Sequence, residues 1–396
     1  ILEFTSLGFI VLLYGIFGSW EKHKKLFMAF FLVVIGNIAL MINYGGTEQD
    51  IPILFRYLFP SYIVMSVWVG LGLHYLYTYL TTRLHPLLPS LILIILPTAC
   101  LVTHYHENNR NKNSIVLDYA NNVLQTPLPD SMLFTVGDAV SGPIQYAQTA
   151  NGTRDDLVVL DRELLTRDWY CLHLLKHFPN LTPENILTIP LEKRLSHIID
   201  ANLSKIPIFA TFAILEEYEN IPYGLVYQIL PKGTALEFEK VKQINEAQWE
   251  QYVQRGLLDA GIYKDYMVKE LVEAYGKSKN NLALYYSSND HVEDAIKEYR
   301  LALQYNPENF ASLFNLGQLY NQNNQPQEGN VLLKKAMEIN PDFLFQTGAG
   351  ASQKSDFALM PAKPGNEQDT DHYHLQTGIQ YGTIGNHQKA IEEFKK

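Results

Sequence analysis

The sequence predicts a multi-domain protein in which transmembrane α-helices come first, an α/β domain follows, and an all-α repeat solenoid comes last. Three observations predict this order. Charge-free apolar runs dominate residues 1–103, strand-like and helix-like patterns alternate over residues 104–245, and a 34-residue period recurs after residue 276. The charges are segregated in the same way. Residues 1–103 carry a net charge of +1 and residues 104–396 carry a net charge of −11, which together give the overall charge of −10. A single soluble domain does not segregate its charges like this.

Composition excludes several classes of protein. Aromatic residues make up 12% of the chain, which is too many for an intrinsically disordered protein. The acidic balance after residue 103 would repel phosphates, so we expect no nucleic-acid partner. The two cysteines, Cys100 and Cys171, are too few for a disulfide framework or a cysteine-based zinc module.

Four charge-free stretches predict four transmembrane helices in residues 1–103, as the end of a larger membrane domain. They cover residues 4–20, 26–47, 57–82 and 84–106. A helix needs roughly 20 apolar residues to cross a bilayer, whereas the buried helices of a soluble core are usually shorter and carry a polar stripe. The lipid bilayer is therefore an expected partner.

Basic residues predict the orientation of these helices. The loop after the first span contains Lys22, Lys24 and Lys25, whereas the next loop contains Glu48 and Asp50 and no basic residue. By the positive-inside rule, the first loop faces the cytoplasm. After four spans, residues 104–396 are then predicted to be extracytoplasmic, in the periplasm, the exterior or an organelle lumen.

The next segment, residues 104–245, predicts an α/β domain with a mostly parallel sheet, because short β-forming runs alternate with helical spacing. The predicted strands cover residues 131–136, 157–160, 206–212 and 224–230, and the longest predicted helix covers residues 163–177. Ligands of such sheets bind beyond the carboxyl ends of the strands. Gly137-Asp138 and Asp161-Arg162 both occupy that position.

The last third of the chain repeats itself at a shift of 34 residues, which is the tetratricopeptide period. The predicted repeats cover residues 276–309, 310–343 and, truncated, 371–396, with a helical connector at 246–275 and a linker at 344–370. The predicted repeat-packing residues are Ala283, Tyr286, Ala295, Tyr299, Ala302, Pro307, Gly317, Tyr320, Gly329, Ala336, Pro341, Gly378, Tyr381 and Ala390. The concave face of such an array commonly binds peptides, so we expect a protein or peptide partner.

Six residues of the α/β domain are candidates for a ligand-binding loop: Gly137, Asp138, Arg154, Asp156, Trp169 and Tyr170. Each pair also has a structural interpretation. Gly137-Asp138 can be a strand-ending turn, Arg154 with Asp156 a salt bridge, and Trp169-Tyr170 a packing contact rather than a sugar platform. His173 and His177 lack the glutamate of a zincin helix, so no metal site is predicted.

The order of several motifs resembles a known family. The resemblance covers roughly residues 50–175. Its motifs are, in order, Leu133-Phe-Thr-Val-Gly137-Asp138, Pro143-Ile-Gln-Tyr146, Thr153-Arg154-Asp155-Asp156-Leu-Val-Val, Leu164-Leu165 and Asp168-Trp169-Tyr170. The family consists of polytopic membrane proteins formerly labelled as a domain of unknown function, often followed by tetratricopeptide repeats. Its animal member is a lumenal protein O-mannosyltransferase of the GT-C architecture. The resemblance implies a polyprenyl-phosphate sugar donor and no further cofactor in this part of the chain.

The same resemblance singles out Arg56 and Tyr57, which match the family's segment before its late transmembrane helices. An arginine at the outer membrane surface can pair bidentately with a lipid-linked phosphate, or it can simply anchor the chain among headgroups. The sequence identifies no catalytic base. The acidic catalytic loop of GT-C enzymes follows their first transmembrane helix, and we expect the present chain to be an internal or C-terminal fragment without it.

Two functions therefore fit the sequence. The first is the C-terminal part of a membrane glycosyltransferase, which transfers a lipid-phosphate-linked sugar to a protein hydroxyl and uses its repeats to present or recruit proteins. The alternative is a non-catalytic, membrane-anchored scaffold with tetratricopeptide repeats.

Overall fold

The computed structural model describes residues 5–44, 57–85, 87–214 and 217–340. The chain divides into two compact units, Ile1–Asn111 and Lys112–Lys396. The predicted order of apolar helices, a sheet-containing domain and helical repeats is confirmed. Arg56, the linker 344–370 and the truncated third repeat with Gly378, Tyr381 and Ala390 lie outside the described residues, as does Pro341.

The described part of the first unit is helical. Its helices are α1 (Thr5–Lys22), α2 (Lys24–Tyr44), α3 (Phe59–Thr81) and α4 (Leu87–Asn108). Within the described residues, three helical segments are long and apolar enough to cross a membrane: Lys24–Ile42, Phe59–Thr81 and Leu87–Asn108. The first predicted span is also helical but is not among these three, since α1 has 18 residues and ends in Glu21-Lys22.

Two glycines bring α1 and α3 into close contact. A Cβ atom added to Gly15 would collide with the carbonyl oxygen of Trp68, and one added to Gly72 would collide with the carbonyl oxygen of Val11. Small residues allow membrane helices to approach at the backbone, where van der Waals packing drives association. The absence of a side chain at these two positions therefore permits the close approach of α1 and α3.

The last helix of the first unit continues beyond the predicted domain boundary at residue 103. It ends at Asn108, and His104 Nδ1 lies 3.3 Å from Glu107 Oε2, one turn away on the same helix face. Interacting polar side chains at this spacing stabilise a helix. The loss of hydrophobicity after residue 103 therefore does not mark the end of the helix.

The second unit contains a five-stranded mixed sheet. Its strands are β1 (Met132–Thr135), β2 (Val158–Asp161), β3 (Ile208–Ala210), β4 (Tyr218–Tyr223) and β5 (Val226–Pro231), in the order β2-β1-β3-β5-β4. β1 is parallel to β2 and β3, but β5 is antiparallel to β3 and β4. The sheet is therefore less parallel than predicted. The prediction did not include β4, because this strand contains Pro222 and polar residues and gives a weak strand signal.

Helices cover both faces of this sheet. α5 (Ile115–Gln125) and α6 (Asp138–Asn151) pack on the face that contains Leu133, whereas α7 (Asp168–His177) and α8 (Arg194–Asn202) pack on the face of Met132 and Phe134. The alternation of side chains along β1 creates these two cores. The predicted helix over residues 163–177 is split into a 3₁₀ turn, Leu164–Thr166, and α7.

The helical end of the described chain consists of α9 (Phe238–Gln251), α10 (Tyr266–Ser288), α11 (Val292–Tyr305), α12 (Phe310–Gln322) and α13 (Pro326–Ile339). α10 pairs with α11 and α12 with α13, in the two positions predicted for the first two repeats. Every predicted repeat-packing residue from Ala283 to Ala336 is buried except Pro307, which follows α11 and is exposed. A Cβ atom on Gly317 would stand 2.8 Å from Leu333 Cγ and 3.0 Å from the carbonyl oxygen of Gly329, so this crossing requires glycine.

The first repeat shares a core with the α/β domain. α10 begins ten residues before the predicted repeat, and its added segment buries Val268, Leu271 and Tyr275 in the cluster that contains Tyr119 of α5. Asn122 Nδ2 donates a hydrogen bond of 2.8 Å to Tyr275 Oη. Residues 266–275, the end of the predicted connector, thus pack the first repeat against the α/β domain in one core.

Candidate functional site

The candidate ligand loops lie at the carboxyl edge of the parallel strands, where β1 turns into α6. Gly137 has φ = +81° and ψ = 140°, a conformation that side-chain-bearing residues rarely adopt. Asp138 is exposed at the first turn of α6, and Ser141 Oγ donates a 2.9 Å hydrogen bond to Thr135 Oγ1 inside the turn. The glycine and the serine thus set the backbone of this turn, and they leave the Asp138 carboxylate facing solvent.

The neighbouring strand β2 ends in a turn built by Asp161. Its Oδ1 accepts hydrogen bonds from the backbone N–H groups of Glu163 (2.8 Å) and Leu164 (3.2 Å), and its own N–H donates to Tyr170 Oη at 3.1 Å. Asp161 and Tyr170 are both buried. Tyr170 therefore fastens α7 to the end of β2 and is not available as a surface platform.

The carboxylates at the two strand ends act together on the pKa of Glu163. Partial burial raises the pKa of Glu163, and the charges of Asp161 and Asp138 raise it further while Arg162 opposes them. Arg162 Cζ lies 5.1 Å from the centre of the Phe212 ring, just beyond β3. The fold thus brings the ends of the three parallel strands together, with Asp138 and Glu163 as exposed carboxylates that a ligand can reach. Among the described residues, no group of three metal-ligating side chains is arranged to hold a metal ion.

Arg154 and Asp156 form an ion pair that clamps several loops. Arg154 Nε and Nη2 each lie 2.8 Å from one oxygen of the Asp156 carboxylate, which is a bidentate arrangement. The same guanidinium donates to the carbonyl oxygens of Leu124, Pro127 and Leu128 at 3.0–3.2 Å. The interaction holds the pKa of Asp156 at about 2. All of these bonds are structural, so the pair ties the end of α5 to the start of β2.

Trp169 differs from its neighbour Tyr170 because it is 61% exposed. His173 and His177 lie on the same helix, also exposed, with ring centroids 4.3 Å apart. α7 therefore presents several accessible side chains to its surroundings.

Of the predicted donor-binding pair, Arg56 lies outside the described residues and Tyr57 lies at the start of the helical segment that leads into α3. The Tyr57 side chain is 56% exposed, and its carbonyl oxygen accepts a 2.8 Å hydrogen bond from Asn37 Nδ2. Ser61 Oγ donates to Asn37 Oδ1 at 2.8 Å. A polar network from α2 thus fixes the backbone next to Arg56.

Sequence reasoning missed several buried polar residues of the second unit. Arg194 is buried and donates to Asp168 Oδ1 at 2.7 Å and to the carbonyl oxygen of Leu165 at 3.1 Å. Lys279 Nζ lies 2.7 Å from Glu298 Oε2 and 3.8 Å from the centre of the Trp249 ring. Nothing local in the sequence distinguishes these charges from solvated ones, because their partners come from other elements.

Comparison with known proteins adds family evidence to this geometry. The family model of the TMEM260-associated domain 2 matches residues 116–188, which include both strand-end turns, and tetratricopeptide-repeat models match residues 276–309 and 298–329. No solved structure matched the chain.

Two curated proteins show the same relationship over a longer stretch. The protein O-mannosyl-transferase tmem260 of Dictyostelium discoideum is 21% identical over 284 residues, which cover 62% of this chain and 34% of that protein. The protein O-mannosyl-transferase TMEM260 of Mus musculus is 21% identical over 256 residues, which cover 60% of this chain and 33% of that protein. The chain spans about a third of the length of the curated relatives it matches. As the motif order predicted, the chain is distantly similar to protein O-mannosyl-transferases of the TMEM260 type and matches the models of a TMEM260-associated domain and of tetratricopeptide repeats.

Proposed function

We propose that this chain is the C-terminal part of a membrane glycosyltransferase that moves a sugar from a polyprenyl-phosphate donor to a protein hydroxyl. The similarity to two protein O-mannosyl-transferases and the three candidate membrane spans support the reaction class. In this proposal, residues 104–396 are extracytoplasmic, and the chain contributes to binding a polyprenyl-phosphate sugar donor, with no further cofactor expected.

The observation that carries the proposal is the shared core of the α/β domain and the first repeat. Tyr275 of α10 is fully buried beside Tyr119, and it accepts the hydrogen bond from Asn122. A protein acceptor bound to the repeats is therefore held at a fixed position relative to the strand-end turns. Fixing an acceptor in this way raises its effective concentration at a reaction centre.

Within this function, we assign the two exposed strand-end carboxylates to the acceptor side. Asp138 and Glu163 belong to neighbouring turns, and the raised pKa of Glu163 suits a group that exchanges hydrogen bonds with sugar or protein hydroxyls. Arg56, beside Tyr57, is assigned to the donor phosphate because a guanidinium can bind phosphate oxygens bidentately. Gly137 contributes by setting the backbone of the turn.

The alternative function is a membrane-anchored scaffold. One observation favours it: Asp161, Arg154 and Asp156, three of the charged groups near the strand ends, are all engaged in structural hydrogen bonds. In a scaffold, the repeats recruit proteins and no sugar is transferred.

The two functions are distinguished by sugar transfer in membranes that contain the intact protein. A radiolabelled polyprenyl-phosphate sugar is supplied, and incorporation into protein hydroxyls is compared for wild type, the double variant Asp138→Asn/Glu163→Gln, and the exposed control Glu184→Gln. We expect at least tenfold less transfer in the double variant and wild-type transfer in the control. Absence of transfer by the wild-type protein would support the scaffold, and full transfer by the double variant would remove Asp138 and Glu163 from the site.

A further inference from the structure

The strand order of the sheet creates a crevice between the carboxyl ends of β1 and β3. The chain passes from β1 through α6 to β2 on one side of β1, and then through α7 and α8 to β3 on the other side. α6 packs on the face of Leu133, whereas α7 and α8 pack on the opposite face. The connections therefore diverge between β1 and β3, which is the position where ligands of α/β sheets bind.

A buried hydroxyl without a partner lies at this point. Thr211 directly follows β3, and its N–H donates to the carbonyl oxygen of Phe134 at 2.9 Å, which continues the ladder with β1. Its Oγ1 is buried but has no hydrogen-bond partner among the residues that the structure describes. Thr135, at the same level of β1, differs because its Oγ1 accepts from Ser141 Oγ. A buried hydroxyl without a partner costs free energy, so a ligand that bonds to Thr211 would be stabilising.

The side chain of Thr211 lies on the same sheet face as the β1–α6 turn. Phe209, two residues earlier, belongs to the core that contains Leu133, so the alternation of the strand directs Thr211 to the α6 face. Among the described residues, the one atom within 4 Å of a Cβ atom added to Gly137 is Glu270 Oε1, at 3.7 Å. The missing side chain at Gly137 thus lets a ligand approach the backbone, and α10 supplies a wall of the crevice.

The charges around the crevice restrict the chemistry of its ligand. Asp138 and Glu163 are exposed carboxylates, and Glu270 adds a third from α10, so phosphates and other anions are repelled. Arg162, whose Cζ lies 5.1 Å from the centre of the Phe212 ring, reduces the attraction for a cation. A neutral ligand rich in hydroxyl groups fits best, because carboxylates accept hydrogen bonds from hydroxyls and a threonine hydroxyl both donates and accepts.

We propose that the β1–β3 crevice binds a neutral hexosyl group, with Thr211 Oγ1 hydrogen-bonded to one of its hydroxyls and Asp138 and Glu163 to others. This inference rests on the proposed function in one respect, since the similarity to protein O-mannosyl-transferases selects mannose as the sugar to test. The hexosyl group belongs to the lipid-linked donor or to a glycosylated acceptor, because both present the same hydroxyls.

The test measures binding of methyl α-D-mannopyranoside to the intact protein in nanodiscs by saturation-transfer difference NMR, which requires no sugar transfer. Thr211→Val replaces the hydroxyl by a methyl group of similar size, and Thr211→Ser keeps the hydroxyl. Thr149→Val, at an exposed threonine in the last turn of α6, is the control. Because Thr211→Val removes an unsatisfied buried hydroxyl, we expect its melting temperature to equal or exceed that of wild type.

We expect wild type, Thr211→Ser and Thr149→Val to bind the glycoside with similar affinity, and Thr211→Val to bind it at least fivefold more weakly. No binding by wild type, or equal affinity in Thr211→Val, would overturn the proposal. A lower melting temperature of Thr211→Val with unchanged affinity would also overturn it, because the hydroxyl would then be satisfied by ordered water only. An equal response to methylammonium would do the same, since the carboxylates would then select a cation.

Competition identifies the source of the sugar. Displacement of the glycoside by a polyprenyl-phosphate mannose assigns the crevice to the donor, and displacement by an O-mannosylated peptide alone assigns it to the acceptor. Displacement by neither would overturn the proposal. Glycoside binding by a wild-type protein that transfers no sugar would contradict the proposed function and leave the crevice as a sugar site.

Discussion

The hydrogen bond between Asn122 and Tyr275 provides the sharpest test of the fused core. Tyr275→Phe keeps the ring and removes only the hydroxyl that accepts from Asn122 Nδ2 at 2.8 Å. Both side chains are almost completely buried, so water does not replace the lost partner. Asn122 keeps its bond to the carbonyl oxygen of Val253, but one of its N–H groups is left unsatisfied. An unsatisfied buried donor costs about 1–3 kcal/mol, which we expect as the loss in free energy of unfolding.

The assay is hydrogen exchange of the intact chain in nanodiscs, followed by mass spectrometry of peptides from α5 and from α11. If the α/β domain and the first repeat form one core, their opening free energies fall together by the same amount in Tyr275→Phe. Tyr146→Phe, at a residue that is 63% exposed, is the control and should change neither. A faster exchange confined to α11, with α5 unchanged, would refute the reasoning, because the repeats would then open independently.

Three further predictions concern other parts of the chain. Gly317→Leu overpacks the crossing with Leu333 and should cost on the order of 1–3 kcal/mol of repeat stability, measured as earlier opening of α12 in hydrogen exchange. Asp156→Asn should cost about 1–2 kcal/mol at neutral pH, discounted for partial exposure, and the cost should decrease as the pH falls from about 4 and vanish below about pH 2, because the folded pKa of about 2 lies below the ordinary value of 3.8. Arg56→Ala should weaken donor binding by the intact protein about ten- to a hundredfold, and Arg56→Lys should restore part of it.

Each of these has an outcome that contradicts it. Unchanged exchange in α12 would show that the repeat register around Gly317 is wrong. A difference in stability between wild type and Asp156→Asn that persists below about pH 2 would mean that charge is not the source of the stabilisation. Equal donor affinities for wild type and both Arg56 variants, from titration in detergent, would make Arg56 an interfacial anchor.

The elements predicted well from the sequence are those with a long-range period. The 34-residue shift placed Ala283, Tyr299 and Gly317 at buried helix contacts because every tetratricopeptide repeat buries the same positions. Span length likewise predicted α2, α3 and α4 as membrane candidates. In both cases, one physical requirement acts on many residues at once.

Elements that depend on a distant partner were not predictable in this way. β4 has a weak strand signal of its own and forms because it pairs with β5 around Gly224. The tetratricopeptide-repeat match begins at residue 276, as predicted, but α10 itself extends back to Tyr266 because Val268 and Tyr275 pack against the α/β domain. Local propensity is regularly overridden by packing of this kind.

The candidate site was predictable by position but not by role. Because ligands bind beyond the carboxyl ends of parallel strands, the prediction placed Gly137, Asp138 and Asp161 at the same edge of the sheet, where the structure has them. It did not separate the carboxylates that face solvent from those that build turns, because Asp161 and Asp156 differ from Asp138 only in the partners that the fold supplies. The role of Tyr170, predicted either as a ligand contact or as a packing residue, could not be assigned for the same reason, since the Asp161 N–H that donates to its hydroxyl comes from another element.

The most direct test of the central claim joins acceptor binding at the repeats to sugar transfer. A photoreactive amino acid is placed at Val331, an exposed residue of α13, in the intact protein in its native membrane, and the crosslinked proteins are analysed by mass spectrometry for sugars on serine and threonine. The account predicts that the crosslinked proteins carry hydroxyl-linked sugar and that this sugar disappears from the same proteins when the gene is deleted. Crosslinked proteins whose glycosylation is unaffected by the deletion would contradict a transferase and leave a scaffold.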